Sequence, residues 1–463
     1  MGGLSMGMLL WMLGCVSTQG EAPVIVRNPA PDNAPNVVLL SLDTTRSDRL
    51  TPYGYSRDTT PFLQSLAERG AVFTESYSQA PMTTPSHAAM FTGLHLFEHH
   101  TFKTSHRLPQ DIQTLAETFQ ANGYTTLARA SSIRFHPSVD FDQGFDDYAA
   151  YWDIRKNERS GRVIDEVVER AAAADSAPVF AFVHLFDPHA PYNPPPSYAS
   201  TWTEIREDFP AIQSVDYVRS HRHASASYQP EDLRYIQDLY DGGLRFTDHN
   251  VQQLHERLSF SNGRSTLWVI TSDHGEAFKE HGYLGHSQWL YEEILRVPLL
   301  MVWEGHIDGG QQIAVPAHNI DIYPTLMSLI GLEGPENLSG RNLAPALQGE
   351  PQNVAQPDGP ISDPLLMMVN RVNWSLIGTV DERRFKLEKR RGEDLRLYDL
   401  TAEPGGFQNV IRRQADVAEL LKEYAHGLGV TNRAPQDMDN ARDVSGEELD
   451  MLRALGYVDE QEH

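Results

Sequence analysis

The sequence is poor in cysteine, in long apolar runs and in positive charge. One cysteine, Cys15, stands among 463 residues, which excludes a disulfide framework within the chain. The apolar run near the start, Met6 to Leu13 (MGMLLWML), falls well short of the roughly 20 residues that a membrane-spanning helix needs. Lys and Arg total 38 against 63 Asp and Glu, a formal charge of −25. That balance excludes a nucleic-acid partner, which requires a basic surface, and no basic run is present to dock on a membrane. It also repels polyanions at long range, so an anionic substrate requires a local cluster of metal, His and Arg.

What is present is enough apolar material for a large core. Hydrophobic residues make up 40% and charged residues 22%, a globular composition without repeats or low-complexity tracts. The length predicts one large domain and a smaller one. Met6 to Leu13 fits the apolar core of an export signal, and Met12-Leu13-Gly14-Cys15 resembles a bacterial lipobox. The expectation is a signal over 1–14, a lipidated Cys15 with a polar tether over 15–35, and a periplasmic or cell-envelope location, any membrane contact being through that lipid anchor.

From residue 36 strand-like and helix-like segments alternate, as in α/β folds. Val37 to Leu42, Val179 to Phe186 and Leu267 to Thr271 are continuous apolar runs, the mark of strands buried on both faces. Thr60 to Gly70, Gln113 to Asn122 and Asp241 to Leu258 read as helices, the last with its start at Gly242-Gly243 unsettled. Pro194 to about Pro230, with His221 and His223, reads as a lid or specificity insertion. Beyond Gln348 short strands (Ser375 to Ile377, Phe385 to Leu387, Leu397 to Leu400) and a helix from Val417 to Leu428 predict a small α+β subdomain over 348–463.

The three apolar strands run into potential ligands: Asp43, Asp187-Pro188-His189 and Asp273-His274. Sites in open α/β sheets lie beyond the carboxyl ends of strands, and parallel pairing brings these three ends to one edge. A fourth element, Pro81 to Gly93, starts and stops a helix, with Thr84 suited to the N-cap, Pro85 to the first turn and Gly93 to the exit. Thr83 is then left just outside a helix N-terminus, where N–H groups and the dipole favour an anion or a developing alkoxide. On local evidence alone, both threonines read as mere caps.

These segments resemble the sulfatase-like branch of the alkaline-phosphatase superfamily. Thr83-x-Pro85-Ser86-His87 with Thr92-Gly93 is similar to the signature Cys-x-Pro-Ser-Arg followed by Thr-Gly. Asn36-Val37-Val38 leading to Asp43, Arg46 and Asp48 resembles the first metal strand, and Asp187-Pro188-His189-Ala190-Pro191-Tyr192 the D-P-H-x-P-Y segment. Ser272 to Glu276, Glu280-His281-Gly282 and Gly285-His286 resemble the second metal and anion-binding block, with later landmarks at Asp321 to Thr325, Leu397 to Leu400 and Leu455-Gly456-Tyr457. The resemblance implies an alkaline-phosphatase-like sandwich with a central, mostly parallel sheet over 36–347 and a small C-terminal α+β subdomain.

It also implies roles. Asp43, Thr83, Asp273 and His274 would bind metal; His189 and His286 would bind the anion or supply the leaving-group proton; His87, in place of the signature Arg, and Arg46 would contact the substrate anion. Thr44 stands where many calcium enzymes have a second Asp, and His274 where many have Asn. That mixed set favours Zn²⁺ or Mn²⁺ over Ca²⁺, with one or two ions. Sulfatases oxidise the signature Cys or Ser to formylglycine. A threonine is a secondary alcohol and would give a ketone, so Thr83 must attack as a metal-activated alkoxide. Phosphate or phosphonate esters are then expected ahead of sulfate esters, on a small molecule or glycan. A phosphoryl head-group transferase and a catalytically inactive anion-binding protein are the alternatives; the intact ligand set argues against the second.

Overall fold

The computed structural model describes residues 27–152, 156–174, 176–206, 229–370, 372–401 and 408–430. The expected signal segment with Cys15, His221, His223 and Leu455 to Tyr457 lie outside the described residues. Among the described residues, twelve strands of three residues or more form two sheets. The larger contains β1 (Asn36–Leu42), β2 (Ala71–Phe73), β3 (Thr125–Ala130), β4 (Asp147–Ala150), β5 (Val179–Leu185), β6 (Thr266–Thr271), β7 (Leu299–Val302) and β8 (Gln311–Ile313). Their spatial order is β8-β2-β7-β6-β1-β5-β3-β4. The smaller sheet is an antiparallel meander of β9 (Ser362–Met368), β10 (Trp374–Val380), β11 (Arg383–Lys389) and β12 (Arg396–Asp399). The expected α/β class, with a mostly parallel central sheet and a second small sheet, is what the chain adopts.

β1 lies at the centre of the large sheet, parallel to β5 and β6. Its residues alternate between two cores: Val37 and Leu39 in one, Val38, Leu40 and Leu42 in the other. Phe180 and Phe182 face the first core from β5, and Ala181 and Val183 the second. Both faces are therefore covered, which is why these strands are unbroken apolar runs. The first face is covered by α2 (Thr83–Thr92), α3 (Leu115–Ala121) and α6 (Ile322–Ile330); the second by α1 (Pro61–Ala67), α4 (Lys156–Ala173) and α5 (Pro230–Arg257). The small sheet buries Trp374, Leu376, Phe385 and Leu387 with Leu421 of α7 (Ala415–Gly427) and with Ala89 of α2. No helix among the described residues is long and apolar enough to cross a membrane.

Two expectations are corrected. The helix ending at Arg257 starts at Pro230, and Gly242 lies inside it. A side chain at Gly242 would put its Cβ 2.7 Å from the Tyr198 carbonyl oxygen, so this glycine serves close packing and does not interrupt the helix. The N-cap of α2 is Met82, without a side-chain cap, and Thr83 is the first helical residue; Thr84 caps nothing and its hydroxyl is buried without a hydrogen-bond partner.

Several histidines are buried as neutral rings. Burial is the main cause that pushes His99 and His87 down to about 3 and His184 to about 4. A folded pKa below the unfolded value of about 6.5 gives stability that is full above that pH and is lost as the pH falls through it. The thermal midpoint should therefore be flat above pH 7 and fall between about pH 6.5 and 5, before most carboxylates titrate. His99→Gln, which removes one of these rings, should make that fall shallower in calorimetric scans.

Candidate active site

The carboxyl ends of β1, β5 and β6 meet, as parallel pairing requires. Asp43 follows β1, and its N–H donates to the Leu185 carbonyl at 2.9 Å, extending the pairing by one residue. Asp273 and His274 follow β6. The ligand atoms of Asp43, Asp273 and His274 all lie within 4.8 Å of one another, and all three residues are fully buried. α2 delivers Thr83 to the same place: its Oγ1 is 3.4 Å from His274 Nε2, which is 3.4 Å from Asp273 Oδ2.

The turn after β1 is held by its backbone. Thr44 N–H donates to Asp273 Oδ1 (3.2 Å), Thr45 N–H to Ser272 Oγ (3.0 Å) and Arg46 N–H to the Tyr240 hydroxyl (3.0 Å), which itself donates to the Thr44 carbonyl (2.8 Å). These clamps hold Thr44 at φ 51, a left-handed conformation that a β-branched residue avoids. On the β6 side, Gly275 passes so close to Glu293 that a Cβ would lie 2.3 Å from its carbonyl oxygen, so only glycine fits between Asp273-His274 and Glu276.

The His274 imidazole and two further ones are set by carbonyl or carboxylate partners. His274 Nδ1–H donates to the Gly275 carbonyl (3.0 Å), His286 Nδ1–H to Glu276 Oε1 (3.0 Å) and His189 Nδ1–H to the Ala190 carbonyl (2.6 Å). Each Nδ1 proton is fixed by its acceptor, so the neutral ring carries its lone pair on Nε2. The rings follow one another: His274 and His286 have centroids 4.3 Å apart, His286 and His189 5.1 Å. The buried Glu276 carboxylate thus backs the His286 ring on the side opposite Nε2.

The two substrate-contact expectations take different forms here. The Arg46 guanidinium is occupied by Asp48 (2.8 Å), Glu280 (2.5 Å) and the Glu276 carbonyl (2.9 Å), and ties the β1 turn to the segment that carries His286. His87 is fully buried, donates from Nδ1 to the Thr83 carbonyl (2.8 Å) and accepts at Nε2 from Ser41 (2.9 Å). Both nitrogens are used, so His87 anchors the first turn of α2 to β1 and has no N–H left for an anion. His87→Gln should lower kcat about 10- to 100-fold, the usual cost of losing a supporting group around a site, with KM nearly unchanged in steady-state kinetics.

Sequence reasoning missed His184. It sits in β5 opposite Ser41 in the pairing with β1, fully buried, with Nε2 3.2 Å from Asp43 Oδ2. It read as part of the apolar run; a lone imidazole inside a strand buried on both faces was the available signal. Asp187, at the end of β5, turns to Ser160 and to Asn250 (3.1 Å).

The residues present fit a cation. Both Asp43 oxygens, Asp273 Oδ2 and the Thr44 hydroxyl are buried and lack hydrogen-bond partners, a costly arrangement for carboxylates unless an ion compensates them. Burial, joined by the charge of Asp273, pushes the Asp43 carboxyl well above the usual range, while His274, His87 and His184 outweigh burial at Asp273 and hold it at about 2. His87, His184 and Asp273 also lie within ligand spacing, but the hydrogen bonds of His87 leave it no free donor electron pair.

With this geometry in view, comparison with known proteins is direct. The sulfatase family model matches residues 35–332, well over half of the chain, and the model for the C-terminal part of N-sulphoglucosamine sulphohydrolase matches 279–431. Chicken (Gallus gallus) arylsulfatase K is 25% identical over 477 residues, covering 91% of this chain and 87% of that protein. The Δ4,5-hexuronate-2-O-sulfatase of Bacteroides thetaiotaomicron is 24% identical, covering 84% and 87%. The crystal structure of the phosphonate monoester hydrolase of Agrobacterium radiobacter superposes with a TM-score of 0.66 at 21% identity, over 85% of this chain and 94% of that one. Motif order, sheet topology and the family match agree: this chain belongs to the sulfatase family of the alkaline-phosphatase superfamily and is an ester hydrolase.

Proposed function

We propose that the chain hydrolyses phosphate or phosphonate esters ahead of sulfate esters, on a small molecule or a glycan, with Thr83 as nucleophile. The observation that carries this reading is the placement of Thr83 Oγ1, on the first residue of α2 and 3.4 Å from His274 Nε2, beside the buried carboxylates. Asp43, Asp273, His274 and Thr83 would hold a divalent ion, with Zn²⁺ or Mn²⁺ suiting the mixed O/N set. Bound, it would lower the pKa of the Thr83 hydroxyl and offset charge on the ester.

The chain's own residues supply the rest. The N–H groups of Thr83 and Thr84 at the start of α2 lack intrahelical acceptors and face incoming negative charge. Thr83, its hydroxyl proton released to solvent beforehand, bonds through its alkoxide oxygen to phosphorus, and the bond to the leaving oxygen breaks with its electron pair going to the departing alcohol. The imidazolium form of His286, with Glu276 behind it, protonates that oxygen from Nε2. Water then attacks phosphorus, the Thr83 O–P bond breaks, and His286 Nε2 takes the water proton. A second attack at phosphorus is a familiar step, whereas a threonine lacks the aldehyde hydrate that releases sulfate in formylglycine enzymes. The glycan part of the reading is supported by the uronate sulfatase among the relatives. The leader around Met6 to Cys15 supports action outside the cytoplasm, at the cell envelope.

The test is a panel of aryl phosphate, phosphonate, phosphodiester and sulfate esters, assayed with the metal-loaded chain. A phosphorus ester should be turned over best. Sulfate-only turnover would overturn the preference for phosphorus, and no turnover of any ester would favour an anion-binding role.

A further inference from the structure

His184 is the one residue that breaks the apolar run of β5. It shares a face with Phe180 and Phe182, which point into the core under α2. Taking an imidazole out of water inside such a strand is costly unless its polar atoms are used.

The ring is held firmly. β5 is paired on both sides, with Ser41 of β1 and Ala130 of β3 opposite His184. The His184 carbonyl accepts from the Ser131 hydroxyl (2.8 Å), and the ring packs against Phe135 (centroids 4.6 Å apart) and His87 (5.4 Å). This places Nε2 3.2 Å from Oδ2 of Asp43.

That contact suits one tautomer only. A lone pair on Nε2 would repel the carboxylate, so the proton belongs on Nε2 and the lone pair on Nδ1. His274, His286 and His189 are the reverse, with Nδ1 protons held by acceptors. His184 therefore turns a proton towards Asp43 and has no lone pair on that side for an ion. Neither Nε2 nor Oδ2 has a hydrogen-bond partner, and both residues are fully buried, out of reach of water. A small turn of the carboxylate closes the N–H···O bond between them.

We propose that His184 is a positioning residue that sets the metal preference of the site: it holds Oδ2 of Asp43, leaving Oδ1 as the one oxygen that Asp43 gives an ion. This rests on the reading that Asp43 binds a divalent cation. Ca²⁺ collects about six to eight oxygens and gains from carboxylates that give both of theirs. Zn²⁺ takes about four ligands and accepts nitrogen among them. By withholding one oxygen from the set, His184 works against the larger ion. Its place in a central strand gives it the rigidity that such a support requires.

The test titrates the metal-stripped full chain with Zn²⁺ and, separately, with Ca²⁺, for wild type, His184→Phe and His184→Gln. The phenyl ring fills the space without the N–H, whereas the glutamine amide restores an N–H near the position of Nε2. His184→Phe should weaken Zn²⁺ about 10- to 100-fold, the usual cost of losing such a support, and leave Ca²⁺ binding equal or tighter. His184→Gln should recover most of the Zn²⁺ affinity. With Co²⁺ as a probe, the visible ligand-field bands should shift in His184→Phe and stay in place in His184→Gln. His184→Leu serves should the phenyl ring prevent folding. A merely structural histidine would weaken both ions alike, so an unchanged ratio of Zn²⁺ to Ca²⁺ affinity, or a glutamine variant no better than the phenylalanine one, would overturn the proposal. A wild type that binds no divalent ion would remove the cation site itself, and this proposal with it.

Discussion

Thr83→Ala is expected to lower kcat/KM by about 10⁴-fold or more, the scale seen when a nucleophile is removed from an assembled site. That loss corresponds to roughly 5 kcal/mol of transition-state stabilisation. Asp43, Asp273 and His274 remain in the variant, so metal content by elemental analysis should change little. Thr83→Ser should retain activity within about ten-fold, because it keeps the hydroxyl and loses one methyl. The pair of variants separates nucleophile from filler: full activity in Thr83→Ala would remove Thr83 from the mechanism. Loss in both variants, with metal retained, would mean that the methyl group of this buried residue positions the helix start.

Removing the divalent ion should have the second largest effect, and it should reverse the sign of a mutation. Chelation should abolish turnover and lower the thermal midpoint, since an ion at about 1,000 times its Kd contributes roughly 4 kcal/mol to the folded state. Zn²⁺ or Mn²⁺ should restore both, and Ca²⁺ should not. Asp43→Asn should be inactive and less stable than wild type when metal is supplied. In the chelated protein the same change should be stabilising, because it removes a buried carboxylate set against Asp273. Melting curves of both proteins, with and without chelator, give four midpoints. If Asp43→Asn were equally destabilising in both states, Asp43 would be a packing or hydrogen-bonding residue and the cation site would be lost.

Much of this arrangement was legible in the residues. Strands buried on both faces leave continuous apolar runs, and the polar residues that end those runs at Asp43 and Asp273 mark where the sheet meets the site. Sequence could not place the helix start at Thr83 with Met82 as its N-cap, because the expected cap, Thr84, is an intrinsic preference overridden by burial. Gly242 suggested a break where Tyr198 simply needed room. β9 went unread because Pro364 and the register shift between Ser362 and Leu365 disguise its first half. The functions of His87 and Arg46 depend on partners such as Ser41 and Glu280, whose proximity is purely tertiary.

The parallel pairing of β1 with β5 and β6 has one more consequence. Thr44, whose N–H donates to the Asp273 carboxylate, lies 229 residues from it in sequence, and Asp43 and Asp273 meet only if two strands align without error. A slip of one residue would turn every side chain of β1 to the opposite face, carrying Asp43 away from its partners while leaving an equally apolar strand in each core. Hydrophobicity alone is nearly blind to that mistake. The ion is not: it would bind the correct register and no other, so the cofactor of this enzyme would also act as the proofreader of its fold.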